Sequence, residues 1–241
     1  MQLKKSMDLF AGSGKIGLVN GKSGAALAGY LWARQTGEMA YADDAENILA
    51  EVYRALEEAE GLDFPTGLAG IGWMMEWVEQ AGFRLAYSLD VWYEIDDFIY
   101  KVATMTPATP TLDGSIGYLL YICKRLLSRR PVVYPYRRLA LEECALYLLR
   151  KLEERMDTLT DGREGACFRL AVEDFYRTGI QNNIALALLQ RIEKNDFSGR
   201  KNELRRKNES EEEAGESENL LGYLFLQDPA DARYACLFDN L

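Results

Sequence analysis

A four-residue pattern, glycine followed three positions later by a second glycine, returns along this chain at nearly constant spacing. It stands at Gly21-Lys22-Ser23-Gly24, Gly67-Leu68-Ala69-Gly70, Gly114-Ser115-Ile116-Gly117 and Gly162-Arg163-Glu164-Gly165, with first glycines 46, 47 and 48 residues apart. Each occurrence opens a run of apolar residues at helical spacing, the mark of a repeat protein. A period in the high forties leaves room for one pair of antiparallel helices per unit. The expected fold is therefore all-α, a row or ring of about four to five helical hairpins with the paired glycines at the starts of the first helices.

The two helices of a unit differ in kind. Residues 21–35 carry Ala25, Leu27, Ala28, Leu31 and Trp32 with few charges, whereas the next helix aligns Ile48, Leu49, Val52, Tyr53 and Leu56 and turns Glu46, Glu51, Glu57 and Glu58 elsewhere. A helix poor in charge is enclosed on most sides, and a helix with a single apolar stripe lies outside, so each unit reads as inner helix, then outer helix. Asp43 or Asp44 is expected to cap the first outer helix. The alternation continues with 67–80 and 88–103, 114–127 and 136–156, and 162–177 and 181–194. Residues 1–197 thus form one repeat domain. Residues 198–219 segregate basic Arg200, Lys201, Arg205, Arg206 and Lys207 from six glutamates between Glu209 and Glu218, and read as a charged linker or solvated helix. Residues 220–241, with a short apolar run from Leu220 to Leu226, read as a terminal cap on the row.

Composition removes several function classes. With 28 basic and 38 acidic residues the net charge is −10, which repels phosphate backbones and anionic lipid, so neither nucleic acid nor membrane is the expected partner. The start, Met1-Gln2-Leu3-Lys4-Lys5, lacks the apolar segment of a signal peptide, and the expectation is a soluble, cytoplasmic protein. Histidine is absent, which excludes serine–histidine and cysteine–histidine catalysis and any metal site that needs an imidazole. Cys123, Cys144, Cys167 and Cys236 are too far apart in sequence for a zinc knuckle or redox pair and read as small buried hydrophobes. No metal and no cofactor are expected. The stretch Ala11-Gly12-Ser13-Gly14-Lys15-Ile16 fails as a phosphate loop, because Leu9 occupies the first glycine position and Ile16 the place of the magnesium-binding hydroxyl.

Glycine at a helix start serves one of two ends. It lets neighbouring backbone approach closely, or it leaves the first N–H groups uncovered at the positive end of the helix dipole, where a carboxylate or phosphate could bind. Close packing is the plainer reading. The binding reading makes Gly21, Gly24, Gly67, Gly70, Gly114, Gly117, Gly162 and Gly165 candidate ligand contacts, with Trp73 and Tyr118 beside them.

The segments Leu18-Val19-Asn20-Gly21-Lys22-Ser23-Gly24-Ala25-Ala26-Leu27-Ala28, Thr66-Gly67-Leu68-Ala69-Gly70-Ile71-Gly72-Trp73 and Leu112-Asp113-Gly114-Ser115-Ile116-Gly117-Tyr118-Leu119 resemble the glycine repeats of lanthionine synthetase C-like proteins. The resemblance covers roughly residues 16–175 and lies in period plus motif. It implies an α/α toroid with inner helices around a central cavity. Cyclases of that family hold zinc with two cysteines and one histidine, and join dehydrated serine or threonine to cysteine in ribosomally made peptides. This chain departs there: the adjacent cysteine–histidine pair is missing, and Cys167 has no companion ligands at recognisable spacing. The chain is also short for the family, so an open arc, a reduced ring or a ring completed by another subunit is expected. What carries over is the scaffold and the binding of a peptide or partner protein, within peptide maturation or export.

The alternative is a carbohydrate-active toroid that hydrolyses its substrate with paired carboxylates. Asp113 and Asp161 directly precede repeat glycines and Glu164 lies within the fourth motif, while Trp73, Trp77, Trp92 and Tyr118 could stack on sugars. Their plain counterparts are helix capping for the acids and core packing for the tryptophans. Asp43-Asp44, Asp96-Asp97 and Glu142-Glu143 read as solvated caps and outer faces rather than metal sites.

Overall fold

Inner and outer helices alternate along the chain in a computed structural model that describes residues 12–59, 61–83, 89–128, 134–159, 162–194 and 220–238. In chain order the helices are α1 (Lys22–Thr36), α2 (Ala40–Arg54), α3 (Leu68–Gln80), α4 (Leu89–Met105), α5 (Ser115–Leu126), α6 (Pro135–Glu154), α7 (Gly162–Arg177), α8 (Asn182–Lys194) and α9 (Leu220–Leu226). A 3-10 helix, Ala232–Leu237, follows α9, and among the described residues no strand occurs. No helix among them is long and apolar enough to cross a membrane. The charged stretch 198–219 lies outside the described residues.

Burial separates the two kinds of helix. In α3 every residue from Ala69 to Val78 is buried, and in α5 every residue except Tyr118. In α2, by contrast, burial is confined to Ala42, Ala45, Leu49 and Val52, spaced three and four apart as one stripe requires. The outer helix α8 buries only Ala185, Leu188 and Ile192. Each fully buried leucine or isoleucine on these stripes contributes about 1.5–3 kcal/mol, which is what holds an outer helix against its inner partner.

Glycine ends three of the inner helices, α1, α3 and α7, as well as starting them. Gly37, with φ 78°, adopts the left-handed conformation and donates its N–H to Ala33 O at 2.8 Å, closing α1. Gly82 and Gly179, at φ 100° and 79°, occupy the same region just after α3 and α7. The start of α2 departs from expectation. The helix begins at Ala40 with Met39 as N-cap, so Asp43 falls in its first turn, where it suits the dipole without capping.

The inner helices pack in series, α1 on α3, α3 on α5 and α5 on α7, while α2, α4, α6 and α8 each pack on the inner helix before them. The series then returns to its beginning. Helix α7 touches the 3-10 helix, the 3-10 helix packs on α9, and α9 lies against α1. Residues 220–238, expected at one end of a row, instead stand between the last inner helix and the first.

Candidate functional site

The paired glycines sit where loops enter the inner helices: Gly21, Gly67 and Gly114 are the N-caps of α1, α3 and α5, and Gly162 is the first residue of α7. At three of the second glycines there is no room for a side chain. A Cβ on Gly24, Gly70 or Gly117 would stand 2.2, 1.7 or 2.1 Å from the carbonyl oxygen of Leu18, Phe64 or Leu112. The first helical amides are also engaged. Lys22 N–H donates to Lys15 O at 3.0 Å, Leu68 N–H to Gly61 O at 3.0 Å, and Ser115 N–H to Thr109 O at 2.9 Å. At these three starts the glycines therefore let the incoming loop lie against the helix and satisfy its free donors.

The acidic candidates are dispersed. Asp113 is exposed, one residue ahead of the cap of α5, and Asp161 lies outside the described residues. Glu164 is half-buried in the first turn of α7. Tyr118 is half-buried on α5, and its hydroxyl is held above the ordinary range by burial, with the charges of Asp63 and Asp113 adding to the effect. Trp73 is fully buried and Trp77 and Trp92 nearly so. Among the described residues no three histidine, cysteine, aspartate or glutamate side chains converge as a metal site would require.

The dense chemistry lies where residues 220–238 meet the inner helices. Arg34, in the last turn of α1, pairs with both Asp228 and Asp231, and its guanidinium lies 4.6 Å over the Trp77 ring. Trp77 Nε1–H donates to Asp231 at 3.1 Å, and Gln35 donates to Leu224 O at 2.7 Å. Phe225 stands edge-on to Trp73 and Trp77, with centroids 6.3 and 5.7 Å apart, and stacks on Phe238 at 5.4 Å. From α5, Lys124 Nζ donates to Tyr234 Oη at 3.1 Å while lying 5.4 Å over Trp73 and 4.6 Å over Tyr234. Burial pushes the Lys124 ammonium down to about 8, against the opposing pull of Asp174 and Asp231. From α7, Asp174 accepts from Arg233 at 2.6 Å, and Cys167 Sγ lies 3.6 Å from Cys236 O. A hydrogen bond with Cys236, together with burial, holds the Cys167 thiol well above its usual range. The two cysteines, 69 positions apart in sequence, are thus neighbours in space.

This junction is incompletely satisfied. Among the described residues, Trp73 Nε1 and Asp174 Oδ2 are buried without a hydrogen-bond partner. Each such atom costs about 1–3 kcal/mol relative to a satisfied one. Sequence reading passed over Arg34, Lys124 and Asp174, although for Arg34 and Lys124 a signal was present: they are charged residues set into helices otherwise poor in charge.

A second polar cluster lies between α3, α4 and α5. Arg125 donates to Asp96 through Nε at 3.0 Å and Nη2 at 2.9 Å, and to Glu76 at 2.5 Å, while Tyr121 donates to Asp96 at 2.6 Å. All four residues are buried. Burial raises Glu76 above the usual carboxylate range, with Arg125 opposing. Asp96 was expected on a solvated face; its neighbour Asp97 does stand there, paired with Arg137 at 2.7 Å. One helical position rotates a side chain about 100°, enough to send adjacent acids in opposite directions. The cluster ties three helices together and presents no open face to a ligand.

No family description, curated protein or solved structure matches this chain.

Proposed function

We propose that this chain is a lanthionine synthetase C-like α/α toroid without zinc chemistry, which holds a peptide or partner protein rather than cyclising one. One observation carries the reading: residues 220–238 lie against all four inner helices through named side chains, so the inner faces already accommodate a length of polypeptide. The return of the contact series from α7 through the C-terminal segment to α1 supports a closed ring. The absence of histidine supports the loss of a site built from two cysteines and one histidine. A place in ribosomal peptide maturation or export, in the cytoplasm, belongs to the same proposal and draws on the repeat resemblance alone.

The test is selection from a display library of short peptides on the full chain, followed by titration of the resynthesised winners. Saturable binding in the micromolar range or tighter is expected. Failure to enrich any sequence would remove peptide binding, and stoichiometric zinc in the purified protein would remove the non-cyclase assignment. A second reading, glycosidic hydrolysis by paired carboxylates, has against it the separate placement of Asp113 ahead of α5 and Glu164 in the first turn of α7. It requires turnover of an oligosaccharide panel that disappears in Asp113→Asn, and a native chain inactive on that panel eliminates it.

A further inference from the structure

Residues 220–238 join the hydrophobic core through Leu224, Phe225, Tyr234, Leu237 and Phe238, and add to it a set of directional contacts of the kind that recognise a ligand. They divide into separate anchors, each with its own chemistry. Two carboxylates three positions apart, Asp228 and Asp231, share the Arg34 guanidinium, and Asp231 also accepts from Trp77 Nε1–H. An aromatic pair, Phe225 and Tyr234, fills the space beside Trp73, with Lys124 over the Tyr234 ring. A guanidinium, Arg233, meets Asp174, which is wholly buried. Charge-assisted bonds of this kind select partners by position as well as by sign. The occupant is imperfect, because Trp73 Nε1–H and Asp174 Oδ2 find no partner among the described residues. A peptide offering an acceptor to the indole and a second donor to the carboxylate would bind with both satisfied. Between α8 and this segment lie residues 195–219, in which basic and acidic residues are segregated and apolar ones are few.

We infer that the inner face formed by Arg34, Trp73, Trp77, Lys124 and Asp174 is a binding site for an acidic–aromatic peptide, and that residues 220–238 are its tethered occupant. The inference rests on the peptide-binding reading above and adds the ligand's chemistry: two carboxylates at i and i+3, followed by a basic residue and a tyrosine. Because the internal occupant belongs to the same chain, it competes as an intramolecular ligand, so an external peptide must exceed it in affinity or concentration.

The experiment uses the full chain with a protease recognition sequence placed within 198–219, cut after folding. The fragment beginning after the cut is expected to stay bound, and a fluorescently labelled synthetic peptide of residues 220–238 is expected to exchange with it while the helical circular dichroism is unchanged. The same peptide carrying D228N and D231N should compete at least tenfold less well. Three results overturn the inference: no exchange with the fragment, loss of helical signal as the fragment leaves, or equal competition by the D228N/D231N peptide. If the engineered chain fails to fold, the labelled peptide is titrated into the native chain and into a D228N/D231N chain. Tighter binding by the latter is expected, and equal or absent binding overturns the claim. Library peptides that bind where the 220–238 peptide does not exchange would sink this inference and leave the peptide-binding reading standing. Absence of both would sink the two together.

Discussion

Lys124 carries an ammonium into an aromatic enclosure, and the consequence is a dependence of stability on pH with a defined sign. Its folded-state value of about 8 lies below the ordinary 10.5, so under pH 8 both states hold the proton and the fold bears a constant cost. Between about 8 and 10.5 only the unfolded chain stays protonated, and stability rises with pH, by a total on the order of 3 kcal/mol. The difference in unfolding free energy between the native chain and Lys124→Met, measured by urea titration, should climb through that window and stay flat near neutrality. The glycines offer a second residue-scale contrast. Gly70→Ala forces a Cβ onto Phe64 O and should cost about 3 kcal/mol or more, whereas Gly37→Ala, with open space around it and φ 78°, should cost about 1 kcal/mol. Equal destabilisation in parallel urea curves would mean that conformation, not contact, selects glycine at the helix starts.

Between elements, Asp96 and Asp97 test what burial does to a charge. Asp96→Asn weakens a buried two-bond pairing with Arg125 and should destabilise by about 3–5 kcal/mol, while Asp97→Asn, on an exposed pair with Arg137, should cost under about 1 kcal/mol. Chemical denaturation of the two single variants decides it. The alternation of inner and outer helices was legible in the sequence, because enclosure on all sides demands few charges and a one-sided burial demands a stripe. The opposite fates of Asp96 and Asp97 were not, since only the rotation of α4 against α5 distinguishes them. Nor was the seat of α9. A seven-residue apolar run states that it will be covered, but its partners Gln35, Trp73 and Trp77 lie more than a hundred positions away. A separation of 69 positions likewise hid the approach of Cys167 and Cys236. The Cys167 thiol lies 3.6 Å from the Cys236 carbonyl oxygen, and Cys236 is partly exposed, so treatment with oxidised glutathione should link them. The two thiols lose two protons and two electrons to the reagent, which departs as two reduced thiols. The mass falls by two protons and two electrons with no reagent retained, the midpoint of thermal unfolding rises, and Cys236→Ser abolishes both effects.

At the scale of the molecule, the closed series of contacts means that α1 and α7 share a neighbour remote from both in sequence. Native-state hydrogen exchange should find amides of 220–238 opening at a lower free energy than those of α3 and α5, which are buried over most of their length. Equal protection throughout would mean that the segment opens only with the entire fold. The arrangement also bears on synthesis. Lys22 and Leu220 are about 200 residues apart, and at translation rates of roughly 5–20 residues per second α1 waits some ~10–40 s for the element that seats against it. During that interval the nascent chain displays the indole surfaces of Trp73 and Trp77, which places the greatest hazard of aggregation on the ribosome rather than in the finished protein.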